Sequence, residues 1–228
     1  MDSLKTNEKA SAYLWLALAA FLVLMAELPI MLVGSLFHGT IFFFDIGRVG
    51  PILIHWGFTC AVWGLGAWLL CRAAKKRGFD IFESRTNPPL INWSIVLVIM
   101  AALIAMSYIS WEGFKPVMGF AAMERRFGGY ALIAFIAQHI YYFFEVAIFL
   151  PIIAFGQKYG EMTFKKNSIP WGGILCGLTW GLVHILTQQS LFVGIVAAVW
   201  GLAYGITYLL LKKNIRYTYP IILLMFVL

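Results

Sequence analysis

Long apolar segments separated by short polar ones run through the chain from one end to the other. A bilayer core about 30 Å thick is crossed by about 20 residues of apolar helix. Segments near this length cover residues 12–33, 49–70, 91–109, 129–155, 171–186 and 191–211. A shorter apolar stretch closes the sequence, and we expect it to form a helix over 217–228. The pattern predicts an all-α fold: a polytopic transmembrane helical bundle of about seven spans, with residues 1–228 as one membrane domain.

The composition agrees with this pattern. Hydrophobic residues make up 62% of the chain and charged residues 12%, against about 45–50% and about 25% in soluble domains. The net charge of +7 lies in short clusters between apolar segments, so we expect the lipid bilayer as a partner and no nucleic acid. Cys60, Cys71 and Cys176 show no metal-ligand spacing, and we interpret them as core residues.

The basic residues predict an orientation, because cytoplasmic loops of membrane proteins carry an excess of Lys and Arg. Of the 17 Lys and Arg residues, those on the side opposite the N-terminus are Arg48, Lys115, Arg125 and Arg126. We therefore predict a cytoplasmic N-terminus and a protein integral to the inner or plasma membrane of a cell.

Two loops on the predicted external side are longer than a turn requires. They cover residues 34–48 and 111–128, and both are rich in aromatic side chains. Aromatic rings without charged neighbours favour the membrane–water interface over bulk water. We expect both loops to lie along that interface.

Two carboxyl groups lie within apolar segments, and a carboxylate at bilayer depth is a candidate functional group by default. They belong to Glu27 and Glu145. Pro29 follows Glu27 and is expected to kink the first helix, since proline lacks the N–H for a helical hydrogen bond. A neutral or hydrogen-bonded carboxyl at the kink is the simpler interpretation of Glu27. His55 is a further polar residue at membrane depth.

The fourth apolar segment carries a polar stripe. Spacings of seven and three place Gln138 and Tyr142 on the helix face of Glu145. His139 points elsewhere on the same helix and is free to meet a different neighbour.

The fifth apolar segment offers a second polar face. Trp180 and His184 are four residues apart and share a face, and Gln188 follows one turn later. Glu145 and His184 lie about 18 and about 21 Å from the cytoplasmic ends of their helices. Their similar depth allows the two side chains to meet.

A Glu–His pair in a membrane has two interpretations, and spacing alone leaves both open. The carboxylate of Glu145 can orient or deprotonate a water while the imidazole of His184 assists or stabilises charge in the transition state. Alternatively, the two groups neutralise each other and lock two helices together.

The last hundred residues resemble a known family. The resemblance is carried by Phe144-Glu145 with its following apolar run, Trp180-Gly181-Leu182-Val183-His184, the Gly201/Gly205 helix, and Lys213-Asn214-Ile215 leading to Tyr219-Pro220. Over residues 130–228 the chain is similar to the CPBP family of intramembrane proteases, which includes CAAX-processing and bacteriocin-processing proteins. The resemblance implies that Glu145 takes the place of the general base and that Trp180 and His184 form the second motif.

The chain departs from that family at four positions. The second glutamate of the first motif becomes Val146, its arginine becomes Leu150, and the histidine and asparagine of the closing motif become Leu224 and Leu228. Losing a single oxyanion-stabilising donor costs about 10²–10³ in rate. The resemblance therefore predicts a non-catalytic or atypical member that acts as a membrane partner or binding subunit.

Two other functions stay open. One is an active, glutamate-dependent intramembrane peptidase that cleaves a lipidated or hydrophobic peptide. The other is a cofactor-binding or small-molecule transport bundle, suggested by the histidines and by Glu27 and Glu145. The sequence indicates no metal site and identifies neither a cofactor nor a partner protein.

Overall fold

The computed structural model describes residues 2–36, 49–83 and 86–228, and these residues are almost entirely helical. The α-helices are α1 (Asp2–Met25), α2 (Glu27–Leu36), α3 (Gly50–Lys76), α4 (Leu90–Ser110), α5 (Lys115–Phe127), α6 (Ala131–Phe164), α7 (Trp171–Cys176), α8 (Leu182–Gln188), α9 (Leu191–Leu210) and α10 (Ile215–Val227). A π-helical turn, Gly177–Gly181, joins α7 to α8. The predicted all-α fold is confirmed for the described part of the chain.

The helices follow the apolar segments but extend beyond several of them. α3 continues to Lys76 and α6 to Phe164. The region 111–128, predicted as an interfacial loop, forms the amphipathic helix α5, which buries Met123 and Phe127. Residues 37–48, most of the other predicted interfacial loop, lie outside the described residues.

Helices long and apolar enough to cross a membrane occupy four ranges of the described chain. These ranges are Glu8–Leu32, Gly50–Lys76, Leu90–Phe164 and Leu191–Leu210. The third range contains α4, α5 and α6, and α10 is apolar but shorter. This architecture is consistent with a protein integral to a membrane.

The first apolar segment is broken where the sequence predicts a kink. α1 ends at Met25 and α2 begins at Glu27. Pro29 has no N–H to donate to the Met25 carbonyl four residues earlier, which accounts for the interruption. The indole of Trp63 on α3 donates to the Leu24 carbonyl oxygen at 3.0 Å, so the end of α1 is held against α3.

α6 lies at the centre of the molecule. It packs against α1, α3, α5, α7 and α10. Every residue from 148 to 157 is buried, and all but Pro151, Gly156 and Gln157 are large or small apolar residues of the core. A helix buried on all sides must be apolar all round, which explains why this stretch shows no amphipathic pattern.

Glycines bring α7, the π turn and α9 into backbone contact. Gly201 and Gly205 on α9 face Gly177 and Gly173. A Cβ atom on Gly201 would lie 2.8 Å from the Gly177 nitrogen, and one on Gly205 would overlap the Gly173 backbone. The Gly201/Gly205 spacing therefore serves helix packing within the chain, as small residues at this spacing often do.

Candidate functional site

Glu145 is buried on α6 and is bonded to the π turn. Its side chain lies in the core with 9% of the residue exposed. The Trp180 indole N–H donates to Glu145 Oε1 at 3.0 Å. Trp180 is itself 3% exposed and packs on Phe149 with ring centroids 5.1 Å apart. The carboxyl group thus joins α6 to the segment between α7 and α8.

His184 also contacts Trp180. Its Nδ1–H donates to the Trp180 carbonyl oxygen at 2.7 Å, and the two rings lie 4.9 Å apart. No hydrogen bond joins His184 to Glu145 within the described residues. With Nδ1 carrying the proton, Nε2 of a neutral His184 is an acceptor. Trp180 therefore links the two residues whose similar depth allows them to meet.

Lys115 and α10 complete the surroundings of Glu145. The Lys115 ammonium donates to the Phe226 carbonyl oxygen and lies 5.6 Å from the centre of the Tyr142 ring. The Phe226 ring packs on Tyr142 and Trp180 with centroids 5.1 and 6.0 Å apart. Lys115 and Glu145 interact electrostatically. The sequence places Lys115 in a loop on the side opposite the N-terminus. Nothing in the sequence pattern predicts its interaction with Glu145.

α10 turns an apolar face toward this region. Ile222 and Met225 are fully buried, whereas Leu224 is 47% exposed. Leu224 is the position on which the resemblance places the closing histidine of the protease family. The side chain at that position therefore points away from the core, and Leu228 is half-buried.

Glu27 belongs to a second polar cluster, which we call the Glu27 cluster: Glu27, His55 and Tyr141. His55 Nε2 lies 3.2 Å from Glu27 Oε1, and the Tyr141 hydroxyl donates to the same oxygen at 2.7 Å. Nδ1 of His55 is buried and has no hydrogen-bond partner among the described residues. The cluster joins α2, α3 and α6, and Glu27 is a hydrogen-bonded carboxyl at the helix break, in line with the simpler interpretation of the sequence.

Tyr141 connects the Glu27 cluster to Glu145. The two residues lie four apart on α6, and the Tyr141 ring packs on Trp63 with centroids 4.9 Å apart. The carboxyl groups of Glu27 and Glu145 interact electrostatically. The sequence contains a signal for Tyr141, since a spacing of four places it on the same helix face as Glu145. Nothing in the sequence indicates its partner on α2.

The other predicted site residues make no hydrogen bond to Glu145 within the described residues. His139 Nδ1–H donates to the Phe135 carbonyl oxygen at 2.7 Å, and its ring lies 5.8 Å from that of Tyr142. Gln138 is half-buried and Gln188 is exposed. Neither glutamine makes a side-chain hydrogen bond within the described part of the chain.

The described residues contain no group of three or more His, Cys, Asp or Glu side chains arranged to hold a metal ion. Cys60, Cys71 and Cys176 are free thiols. The polar groups that lie together in the described part of the chain are two carboxyl groups with Trp, His and Tyr partners.

The chain matches no family model, no curated protein and no solved structure. The similarity to CPBP proteases rests on the motif residues quoted above.

Proposed function

We propose that this is a CPBP-like integral membrane protein without peptidase activity, which acts by binding a partner within the bilayer. One observation carries the proposal: the buried Glu145 carboxyl accepts a hydrogen bond from Trp180 and makes none to His184. A general base must lie within hydrogen-bond reach of the water it deprotonates, with its partner group beside it. Glu145 is better suited to holding α6 and the π turn together.

The residues around Glu145 support this interpretation. Val146 and Leu150, at the places of the second glutamate and the arginine, are buried in the apolar core. Phe226 packs on Trp180 from α10. None of these three side chains can donate a hydrogen bond to a developing oxyanion, and losing one such donor costs hydrolases about 10²–10³ in rate.

The proposed topology has seven spans and a cytoplasmic N-terminus. α7, the π turn and α8 together run from Trp171 to Gln188, about 27 Å at about 1.5 Å per residue, which is close to the thickness of a bilayer core. α10 is shorter, and as the seventh span it needs flanking residues to cross the whole core. The excess of Lys and Arg on the N-terminal side supports the orientation.

The partner we propose is another membrane protein, bound to the lipid-facing surface of the bundle. α4 contributes a large part of this surface, because only Val96, Leu103 and Ser107 of its residues are buried. It packs mainly on α9 and less on α10. Association of helices in lipid depends on packing and polar contacts, so an apolar helix packed on one side can accept a second neighbour.

A crosslinking experiment tests the partner. A photoreactive residue replaces Val98 on α4, which is 69% exposed, and in a control replaces Val96, which is fully buried. Irradiated in native membranes, the Val98 position is expected to give a protein adduct of discrete mass and the Val96 position none. Adducts to lipid alone at Val98 and at other exposed α4 positions would contradict the proposal.

A cleavage assay tests the loss of peptidase activity. The purified protein, Glu145→Gln and His184→Ala are incubated in detergent with a farnesylated peptide. We expect all three to give the same background, since the proposed role of Glu145 is structural. Turnover by the parent protein that disappears in Glu145→Gln would establish the active-peptidase alternative instead.

The Glu27 cluster favours a second candidate function, the binding or transfer of a proton or small cation. An ionisable His–Glu pair between apolar helices is a common feature of such sites. In proteoliposomes with an internal pH-sensitive dye, the candidate predicts proton flux that Glu27→Gln abolishes. Tyr142→Phe, which removes the neighbouring hydroxyl outside the cluster and no charge, serves as the control. Flux equal to that of protein-free liposomes excludes proton transfer.

A further inference from the structure

A polar cavity lies at the lysine-rich end of the bundle, away from both carboxyl clusters. It has a volume of about 740 Å³ and opens between the start of α4, the α6–α7 loop and the α9–α10 turn. Its polar lining includes Thr86, Asn92, Asn167, Ser168, Lys212 and Lys213. Ligand sites of this size typically combine an apolar wall with a few convergent polar groups, and here Leu209 and Leu210 supply the wall.

The α9–α10 turn holds two lysines in an unusual backbone conformation. Lys212 and Lys213 have φ angles of 57° and 58°. This left-handed region is favoured by glycine and asparagine at the ends of helices, and other residues adopt it at an energetic cost. Strained residues of this kind concentrate where their side chains are used.

Of these two lysines, only Lys213 forms an ion pair within the described residues. Lys213 pairs with both carboxylate oxygens of Glu161 at 2.9 Å. Glu161 also accepts a hydrogen bond from Gln157, a buried side chain that reaches the backbone of Gly172. Lys212 makes no ion pair within the described residues, and it lines the cavity. The Glu161 ion pair thus fixes Lys213 in the cavity wall. The Lys212 ammonium has no such partner among the described residues and can bind a ligand.

Further donors face the same space. Thr86, Asn167 and Ser168 are exposed, and their side chains take no hydrogen bond among residues 2–36, 49–83 and 86–228. Asn92 differs, since its amide donates to the Leu210 carbonyl oxygen at 2.6 Å. The cavity therefore offers two hydroxyls, an amide and an ammonium that are free to bind a ligand.

The charge around the cavity favours an anion. Lys165 and Lys166 directly precede Asn167, and Arg216 follows the α9–α10 turn. Against these stand Glu83, which lines the cavity, and Glu161, which Lys213 neutralises. The Tyr217 hydroxyl, in the first turn of α10, donates to the side-chain oxygen of Asn87, three residues before α4, at 3.0 Å. Two helix N-termini thus lie near the cavity, and their partial positive charge also favours an anion.

We infer that this cavity binds a phosphate-bearing anion, with the Lys212 ammonium as the charged contact and Asn167, Ser168 and Thr86 as hydrogen-bond donors. The cavity lies where the apolar helix α4 begins and the apolar helix α9 ends. This position favours the headgroup of an anionic phospholipid over free phosphate. Leu90 and Ile91 at the start of α4 are 82% and 65% exposed, which leaves an apolar surface for an acyl chain beside the opening.

Binding of a short-chain phosphatidylglycerol to the detergent-purified protein tests the inference. Lys212→Asn removes the charge with a residue that tolerates the left-handed conformation. It should raise the Kd about tenfold, the expected cost of one charge-assisted hydrogen bond. Lys76→Gln, a matched loss of charge at the same end of the bundle but outside the cavity, should change the Kd by less than about twofold.

Two further arms complete the experiment. Asn167→Ala with Ser168→Ala alters only exposed loop side chains and should also weaken binding while the protein stays monodisperse. Inorganic phosphate that competes with the lipid at equal concentration would identify free phosphate as the ligand source. Equal affinity of the parent, Lys212→Asn and the loop variant would overturn the site and leave Lys212 as a residue that only orients the chain in the membrane.

Discussion

At the scale of single residues, the Trp180–Glu145 hydrogen bond is the contact with the greatest consequence. Both groups are buried, and removing one partner of a buried hydrogen bond leaves the other unsatisfied. We expect Trp180→Phe to lower the free energy of unfolding by about 1–3 kcal/mol. Glu145→Gln keeps an acceptor oxygen and should cost less. Denaturant unfolding in detergent measures both.

A double-mutant cycle separates this bond from the packing of the indole. The cycle combines Trp180→Phe with Glu145→Leu, and residues in direct contact typically show coupling of about 0.5–3 kcal/mol. A coupling energy near zero would mean that Trp180 matters only through its contacts with Phe149 and Phe226, and the structural role assigned to Glu145 would be wrong.

Tyr141 permits a second prediction at this scale. Its hydroxyl donates to Glu27, whereas the neighbouring Tyr142 hydroxyl makes no hydrogen bond within the described residues. Tyr141→Phe should therefore lower the thermal midpoint, corresponding to a loss of about 1–2 kcal/mol. Tyr142→Phe, with the same loss of one oxygen, should leave the midpoint nearly unchanged. Equal effects of the two substitutions would indicate that the Glu27 contact contributes nothing to stability.

At the scale of elements, the contact of α9 with α7 and the π turn depends on the absence of side chains. A Cβ atom on Gly201 would meet the Gly177 backbone at 2.8 Å, and neither backbone can move without separating the helices. We expect Gly201→Ala to destabilise the protein by about 1–3 kcal/mol, as overpacking does elsewhere. The thermal midpoint in detergent measures this.

Gly57 on α3 is the matched control, since a Cβ atom there meets nothing within 4 Å. Gly57→Ala should be neutral or stabilising by about 0.4–1 kcal/mol, because alanine restricts the unfolded chain. If the two substitutions behave alike, helix propensity and not close packing decides the effect at Gly201.

At the scale of the whole molecule, the proposed seven spans predict which loops share a side of the membrane. Single cysteines introduced in a variant lacking Cys60, Cys71 and Cys176 report this through a membrane-impermeant thiol reagent. Cysteines at positions 166 and 212, in place of Lys166 and Lys212, should be labelled only from the cytoplasmic side. A cysteine in place of Glu112 should be labelled only from the outside. Labelling of Lys166 and Glu112 from the same side would contradict the proposed topology.

The apolar segments predict the helices well, because a long apolar run must satisfy its own backbone hydrogen bonds when water is absent. The predicted helix bounds differ from the structure in polar stretches, where the backbone does not depend on lipid burial to form a helix. For the region 111–128 the aromatic content predicts a loop along the interface, whereas residues 115–127 form an amphipathic helix, which needs only one apolar face, and Met123 and Phe127 supply it. The ends of α3 and α6 continue into polar sequence for the same reason.

The candidate site was predictable only in part. Helical spacing places Gln138, Tyr142 and Glu145 on one face, and it also pairs Trp180 with His184. Spacing says nothing of rotation about the helix axis relative to a neighbour, so the sequence only allows Glu145 and His184 to meet, and the structure has Trp180 bonded to both.

The sequence by itself determined the helical, membrane-type architecture, since hydropathy and the hydrogen-bonding needs of the backbone act locally along the chain. The tertiary structure decided which polar groups meet. Glu27 and Tyr141 are 114 positions apart, and Lys115 reaches a carbonyl 111 positions away. Such contacts depend on how helices pack and rotate against one another, and no local pattern encodes that.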